Sequence, residues 1–371
     1  MLDTTILNIP ASRFNIFKKE RFHLVSSKPN QNGIIVCRTY ANNATPAEKK
    51  ALIYRPRLTL VDQLGREQHL KIEFSAQTIL FGNCLREVSE SDFEDELNIL
   101  QKSVFEMGVS IQKEFLRCAV VSAFHPAKNI LITGGYSTSG IIRDFTKVNL
   151  TEKMEINHKD FKNGGHGVQF RAESHALTFY DKIKDLEKSD KNAYSSDQKV
   201  QQANLFDFMQ QKRKPEVMRM EARLCQKPRM NSVLKQLGFG INPTFADIFK
   251  EEVCRKILLH YFETYIEPSF FVFTLDDTPQ GILRSIRRKN PRMKIGEVMK
   301  LAAFKIFCRD DGGVRGFRRI VEETASKREW QRISAKLKTL NRRIPLKSCY
   351  GYIKQIKQSL QKFKPYNPKI D

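Results

Sequence analysis

The sequence predicts an α+β protein in which a strand-rich part, residues 1–230, precedes a basic helical part, residues 231–371. Segments before residue 230 alternate apolar and polar residues with the two-residue period of a strand, whereas helical spacing dominates after it. Charge divides in the same way. Residues 281–371 hold 25 lysines and arginines against 7 acidic residues, a net of +18 out of +23 for the whole chain. These three observations define the predicted class.

The composition is that of a folded protein with a negatively charged partner. The chain has 371 residues, of which 40% are hydrophobic and 10% aromatic, which is enough for two domains with cores. A pI near 9.7 favours nucleic acid or another anionic surface as the partner. The seven cysteines form no C-x-x-C pair, so we expect reduced thiols in a cytosolic protein and no zinc site. We also expect no signal peptide and no membrane span, because no apolar run approaches about 18 residues.

The strand-rich part reads in order as strands joined by short turns, with one helix among them. Strands are predicted at 4–9 and 33–40, and a hairpin at 58–61 and 70–74. The capping-box pattern from Ser91 to Glu94 predicts a helix that continues to Met107. Further strands are predicted at 116–124, ending at His125 and Pro126, and at 130–133.

The turns and the later helices follow from glycine, proline and polar clusters. Residues 134–140 and 163–167 are predicted turns; the first has neither a Walker lysine nor Rossmann spacing, so nucleotide binding there is a distant second interpretation. Residues 181–203 are predicted as a polar loop or frayed helix. A helix is predicted to start at 242–244, and three or four short basic helices follow from Met293. We see no internal repeat in the sequence.

One strand, Glu216 to Leu224, carries charge where a core strand would not. Its apolar face is formed by Met218, Met220, Ala222 and Leu224, and its other face by Arg219, Glu221 and Arg223. Two cations around a carboxylate suit a metal ion beside a phosphate. An exposed sheet face with Arg–Glu cross-strand pairs explains the same pattern equally well.

Tyr180 is the candidate nucleophile, with Lys182 and Lys184 as its catalytic partners. A tyrosine can attack a phosphodiester and conserve the bond energy in a phosphotyrosine link. A nearby lysine would lower the phenol pKa or hold the phosphate, and a cation would stabilise the charge on its oxygens. If Tyr180 opens a helix, Lys184 shares its face. The alternative is a strand-end tyrosine in a core, followed by two surface lysines.

Histidines are the candidate partners of Glu221 in a metal site. We rank His125 first, His175 second and His166 third, and a mixed histidine and carboxylate set would suit Mg²⁺ or Mn²⁺. In a continuous strand a spacing of five places His175 and Tyr180 on opposite faces, so they meet only if the strand bends or ends between them. His125 has an ordinary structural reading as a strand-end residue.

The basic helical part is the candidate DNA-binding surface. Its phosphate contacts would give affinity and salt dependence without sequence choice. The helix from Lys327 to Leu340 could enter a major groove, and a solvated helix face is the alternative. Together with Arg219 and Arg223, the candidate phosphate-binding residues are Arg287, Arg288, Arg318, Arg319, Arg328, Arg342 and Arg343.

Several motifs, taken in order, resemble one family. They are L-D-T-T-I-L-N-I-P, L-K-I-E-F-S-A-Q-T-I-L-F-G, V-S-A-F-H-P-A-K-N-I, S-H-A-L-T-F-Y-D-K, V-M-R-M-E-A-R-L and S-K-R-E-W-Q-R-I-S-A-K-L. Their order and spacing resemble the replication initiators of filamentous phages and related plasmids, the gene II/gene X family. The resemblance covers most of the chain.

This resemblance implies a rolling-circle initiator, a metal-dependent endonuclease that nicks one strand at an origin, stays on the 5′-phosphate through a tyrosine and later rejoins the displaced strand. It places the family tyrosine on Tyr180, the lysine on Lys182 and the R-x-E-x-R strand on Arg219, Glu221 and Arg223. Where phage members can carry an aspartate, this chain has His125. The implied fold is an antiparallel sheet with helices on one face, forming a nickase and strand-transferase domain over 1–230, followed by a helical DNA-binding and replication domain over 231–371.

The implied partners are single- and double-stranded origin DNA and the host replication helicase and polymerase, in the cytoplasm of a bacterial host. A non-catalytic sequence-specific DNA-binding protein is the first alternative. A conjugative relaxase or transposase would use the same chemistry on another substrate. An RNA-binding protein would follow from the charge alone.

Overall fold

The computed structural model describes residues 1–148, 154–187, 214–274, 278–309, 312–342 and 349–368, with the main chain alone at 340–342. Its centre is a ten-stranded antiparallel sheet, and a second sheet has two strands, β2 and β7. The strands are β1 (Leu2–Pro10), β2 (Phe14–Ile16), β3 (His23–Pro29), β4 (Ile35–Asn42), β5 (Arg57–Gln63), β6 (His69–Ser75), β7 (Val109–Ile111), β8 (Val120–Ile132), β9 (Glu155–Asp160), β10 (His166–Arg171), β11 (His175–Asp181) and β12 (Glu216–Leu224).

The large sheet consists of two halves with the same strand order. Its order is β3-β4-β5-β6-β1-β8-β12-β11-β10-β9. In the first half β1 is followed by the meander β3 to β6, and β6 pairs with β1. In the second half β8 is followed by the meander β9 to β12, and β12 pairs with β8. The halves meet where β1 pairs antiparallel with β8. The sequence showed no repeat because the two halves share their strand order and not their residues.

Helices lie on both faces of the sheet and not on one alone, since Ile183 and Leu186 pack with Val217 of β12 on the face away from the main core. They are α1 (Pro46–Lys50), α2 (Ala76–Phe81), α3 (Phe93–Glu106), α4 (Lys113–Arg117), α5 (Thr138–Thr146), α6 (Lys182–Leu186), α7 (Lys227–Gln236), α8 (Phe245–Ile248), α9 (Glu251–Tyr261), α10 (Pro279–Lys289), α11 (Ile295–Phe307), α12 (Gly313–Thr324), α13 (Lys327–Arg342) and α14 (Gly351–Lys362). A π-helical turn (Phe262–Ile266) and a 3₁₀ segment (Glu267–Phe273) follow α9. Apolar residues from β1, β6, β8, β11 and β12 pack with those of α3, α5, α9 and α14 in one core.

Most predicted elements are confirmed. The mixed class and the antiparallel sheet are present, the predicted hairpin is the β5–β6 pair, and four helices follow Met293. The apolar side of the helix predicted from Lys327 packs through Trp330, Ile333 and Leu337 against the core. All seven cysteines are free thiols. Within the described ranges, none of the helices combines the length and apolarity that a membrane span needs.

Two local predictions were wrong. The strands expected at 116–124 and 130–133 are one strand, β8, and Leu116 belongs to α4 instead. Pro126 is tolerated because it faces Leu2, where the register with β1 is irregular. The capping box before α3 joins Ser89 and Asp92, because a 3₁₀ turn at Glu90–Asp92 starts the helical segment earlier.

The main core continues across residue 230. It includes residues of β12, of α7 and α9, and of α13 and α14. A smaller apolar cluster joins α10 and α11 through Ile282, Ile286, Val298, Leu301 and Ala302. A boundary between 230 and 231 stays a prediction.

Candidate active site around Tyr180 and Glu221

Strands β11 and β12 place the predicted tyrosine and glutamate side by side. Tyr180 lies opposite Arg219 and Thr178 lies opposite Glu221 in the antiparallel register. These four side chains share the sheet face away from the main core, because Phe179 and Met220, which alternate with them, belong to that core. The sequence-predicted separation of charged and apolar faces on β12 is confirmed.

Glu221 is surrounded by hydrogen-bond donors. Its Oε1 atom accepts from the Tyr180 hydroxyl at 2.7 Å and from Arg219 Nε at 2.9 Å. Its Oε2 atom accepts from Arg223 Nε at 2.9 Å and Nη2 at 2.8 Å. The Glu221 side chain is only 1% exposed. The carboxylate is therefore fully engaged inside the fold.

Arg219 connects this group to distant parts of the chain. Its side chain is completely buried, and Nη2 lies 3.0 Å from Asp3 Oδ1. Nη1 donates to Gln77 Oε1 and to Asn129 Oδ1, both at 3.1 Å. Strands β1 and β8 and helix α2 thus hold the guanidinium in place.

The electrostatics keep the carboxylate charged and the phenol protonated. Burial would raise the pKa of Glu221, but the guanidiniums of Arg223 and Arg219 hold that pKa well below its usual value. Burial, together with the negative charge of Glu221, raises the pKa of Tyr180 well above 10. At neutral pH the Tyr180 O–H therefore donates to the Glu221 carboxylate, and reaction requires that this proton be transferred.

The two predicted lysines lie in different places. Lys182 is buried, its Nζ atom donates to Cys84 Sγ at 2.8 Å, and Nζ lies 5.6 Å from the centroid of the Tyr180 ring. Tyr180 ends a strand instead of opening a helix, because Asp181 is the N-cap of α6. Because Tyr180 does not open a helix, Lys184 does not share a helix face with it. Lys184 is 41% exposed and pairs with Glu187 at 3.3 Å.

A cavity of about 360 Å³ opens beside the Tyr180 hydroxyl. Its cations are Lys159, Lys182 and Arg223, and its carboxylates are Asp3, Asp185 and Glu221. The other lining residues are Thr4, Ser75, Cys84, Asn157, Phe161, Gly167, Val168, Gln169, Thr178 and Tyr180. The cavity gives an anionic ligand a path to the phenol and to two cations at once.

The predicted histidines lie in different places. His125 stands opposite Arg223, on the charged face of β12, because the register of β8 with β12 pairs Glu221 with Ala127 and Leu224 with Phe124. Burial and the Arg223 charge lower the pKa of His125 to about 4, which keeps it neutral. His175 lies on the core face, where its Nε2 is 3.3 Å from the Tyr265 hydroxyl. The predicted role of His175 as a ligand beside Glu221 is wrong, because β11 continues unbent from His175 to Asp181 and the two side chains lie on opposite faces.

The predicted metal set does not fit the site. Both Glu221 oxygens already accept two hydrogen bonds, and two guanidiniums lie where a divalent cation would have to bind. Like charges at this distance repel a cation strongly in a buried site. The chemistry of the donor set therefore favours arginine and lysine over a metal ion as the source of positive charge at Tyr180.

A group of metal-ligating side chains lies elsewhere. His158, Asp160 and His166 place one ligand atom each within 4.8 Å of one another. They lie on the sheet face of the main core, since they alternate in β9 and β10 with Lys159 and Gly167 of the cavity. His166 lies at the end of the turn predicted at 163–167 and is the first residue of β10. Arg143 Nη2 lies 3.1 Å from His166 Nε2, so that nitrogen accepts and Nδ1–H donates to Asp160.

The predicted phosphate-binding arginines are distributed over the helical part. Arg287 and Arg288 lie in the last turn of α10. Arg318 pairs with Glu322 at 2.7 Å and Arg319 with Glu323 at 3.7 Å, whereas Arg328 is exposed on α13. The Arg342 side chain and the whole of Arg343 lie outside the described residues.

Sequence reasoning missed several members of the site. Asp3 belongs to the opening L-D-T-T stretch, so a signal for it existed in the resemblance. Gln77 and Asn129 also belong to motifs of the resemblance, whereas Cys84 does not. Local sequence did not mark any of the three, because their roles depend on contacts with residues 90 to 142 positions away. No protein-family model, curated protein or solved structure matches this chain.

Proposed function

We propose that this chain nicks and rejoins DNA as a rolling-circle replication initiator of a phage or plasmid, with Tyr180 as the nucleophile. The observation that carries the proposal is the 2.7 Å hydrogen bond from the Tyr180 hydroxyl to Glu221 in a cavity lined by cations. Phenol, proton acceptor and phosphate-binding groups are the components that such a transfer requires.

In the proposed step a strand enters the cavity with its scissile phosphate against Tyr180. The phenol proton passes to Glu221 Oε1 as the Tyr180 oxygen bonds to phosphorus. The P–O3′ bond breaks, and the departing oxygen takes a proton from water to become a free 3′-hydroxyl. Attack of a 3′-hydroxyl on the phosphotyrosine reverses the step and rejoins the strand.

Arg223 and Lys182 are the proposed phosphate-binding groups. Arg223 is 36% exposed and lines the cavity, so its outer edge is accessible to a ligand. Lys182 lies beside the phenol ring and cannot move far, since it is buried against Cys84. Their charges would stabilise the extra negative charge of the pentavalent transition state.

The divalent-cation part of the proposal concerns the His158, Asp160 and His166 triad. Two imidazoles and a carboxylate suit Mn²⁺ better than Mg²⁺. A cation there would have to displace the Arg143 contact with His166. Because the triad lies on the other sheet face, no step at Tyr180 is routed through it.

DNA affinity would come from the basic helices. The described residues of α13 expose Lys327, Arg328, Arg332, Lys336 and Lys338 on the side opposite Trp330. Such a surface suits duplex origin DNA. We propose the host helicase and polymerase as further partners, because a nicked origin must be unwound and extended.

The test is a nicking assay on supercoiled DNA that carries the replicon's own origin, run with Mn²⁺, Mg²⁺ or a chelator and analysed before and after protease. We expect protein attached to one discrete 5′ end, lost in Tyr180→Phe. The control variant is Tyr194→Phe, outside the described residues. Nicking that survives in Tyr180→Phe would refute the nucleophile. Retained origin binding without any adduct would favour the non-catalytic DNA-binding protein.

One observation favours the second candidate, a non-catalytic DNA-binding protein. The pKa of Tyr180 is raised and that of Glu221 is lowered, so proton transfer between them is uphill in the structure described here. A bound phosphate that draws Arg223 away from Glu221 would raise the pKa of Glu221. Proton transfer from Tyr180 to Glu221 would then cost less free energy.

A further inference from the structure

The cavity at Tyr180 is larger than phosphate transfer requires. Its volume of about 360 Å³ lies in the range of pockets that enclose small organic ligands. The phosphate-binding cations Lys182 and Arg223 lie at the β11–β12 end with Tyr180. The remaining space extends across β10 to β9, where the side chains are of a different kind.

That second end combines two amides with an aromatic ring. Asn157 on β9 and Gln169 on β10 are directly opposite each other and both line the cavity. Phe161 follows β9 and lines the same space. Amide side chains pair with the edge of a base, and aromatic rings stack on its face.

Gly167 lies directly against the Phe161 ring and beside Tyr180. A Cβ atom at this position would lie 3.4 Å from Phe161 Cζ and 3.5 Å from Tyr180 Cβ. Both distances are ordinary van der Waals contacts, so no base can enter between Gly167 and the ring. The ring is therefore held against β10, and a base can stack only on the part of it that lines the cavity.

Lys159 completes the arrangement. It is opposite Gly167 on β9 and lines the cavity. The cavity therefore offers cations for a phosphate, an aromatic ring and two amides. A nucleotide unit of a single strand presents a phosphate, a base face and a base edge that match these groups.

We propose that the β9–β10 end of this cavity is a base-binding subsite that takes one unpaired base of single-stranded DNA, with adenine preferred. Asn157 and Gln169 would contact the base edge, because amides pair with the N6 and N7 positions of adenine. Phe161 would stack on the base face. The subsite deepens the proposed function, on which it rests, by giving the nicking site one preferred base next to the scissile phosphate.

The test uses full-length Tyr180→Phe protein and fluorescein-labelled oligodeoxyadenylate and oligodeoxythymidylate of about twelve nucleotides, within the usual site size. Fluorescence anisotropy measures both affinities. We expect adenylate to bind about 3- to 10-fold more tightly, which corresponds to one good base contact. Gln169→Ala should remove the preference by weakening adenylate binding, and Phe161→Ala should weaken the binding of both oligonucleotides, because stacking does not depend on base identity. Gln63→Ala, which deletes an amide from β5 in the other half of the sheet, is the control.

Equal affinity for the two oligonucleotides would overturn the subsite. A preference that survives Gln169→Ala, or affinities that Phe161→Ala leaves unchanged, would overturn it as well. Circular dichroism melting confirms that each variant is folded. The nicking assay separates this proposal from the one on which it rests. Base preference without a covalent adduct would support the subsite and refute the nickase. A covalent adduct without base preference would support the nickase and refute the subsite.

Discussion

Replacing Glu221 by glutamine is the sharpest test of the site's electrostatics. The side chain keeps its shape but loses the charge that balances Arg219 and Arg223, and its amide group brings N–H donors against guanidinium donors. Arg219 is fully buried and keeps only Asp3 as a charged partner, at 3.0 Å. Arg223 is 36% exposed, so water compensates part of its loss.

Breaking a buried ion pair from one side costs about 3–5 kcal/mol, and the exposure of Arg223 places this variant near the lower end, at about 3 kcal/mol. For 371 residues the unfolding entropy is about 0.8 kcal/mol per kelvin, so Tm should fall by about 4 °C. Thermal melting followed by circular dichroism measures this shift.

The matched control is Glu323→Gln. Its partner Arg319 lies 3.7 Å away, and the two side chains are 78% and 64% exposed. An exposed pair of this kind contributes under about 0.5 kcal/mol, so Tm should change by less than about 1 °C. If Glu221→Gln melts within 1 °C of the parent, like its control, the buried carboxylate does not balance the two arginines and the reasoning fails.

Two further predictions concern stability against pH and DNA affinity against salt. Both oxygens of Glu96 in α3 are buried without a hydrogen-bond partner, and burial raises its pKa well above 4.5. Its contribution to stability is therefore complete below pH 4.5 and is lost as pH rises through the folded-state pKa. Glu96→Gln should gain about 2 kcal/mol of stability over the parent at pH 8 and nothing near pH 4, measured by urea unfolding; an equal change at both pH values would contradict this. Arg328→Ala should reduce the slope of log K against log salt for duplex DNA by about 0.9, by removing one phosphate contact. Arg57→Ala, on β5 and outside the basic helices, should leave that slope nearly unchanged. Equal slopes in all three proteins would rule out the contact.

Local patterns predicted the strands that build the site. The alternation in β12 reported which residues share a face, because side-chain direction in a strand is set by period alone. It did not predict that other parts of the chain cover the charged face. Arg219 is buried by Asp3, Gln77 and Asn129, which arrive from β1, α2 and β8, and no local pattern encodes those approaches.

The metal-ligating group that the structure brings together differs from the one predicted around Glu221, for a physical reason. A glutamate between two arginines has the composition of either a phosphate and metal site or a closed ion-pair network, and only geometry separates these. In the structure the Arg223 guanidinium binds Glu221 through two hydrogen bonds, so the carboxylate is already neutralised. His158 and Asp160 were overlooked because their ligand geometry depends on the β9–β10 register.

The repeated strand order makes the chain an intramolecular counterpart of a symmetric homodimer. A cut between β7 and α4 would leave each fragment with a seam strand, β1 of 9 residues or β8 of 13, unpaired along one edge. Each fragment should be insoluble on its own, and the two fragments should form a soluble complex when they are mixed. Only the second half carries Tyr180 and Glu221, so the first half occupies the place of a partner subunit that contributes Asp3 to the ion pairs around Arg219.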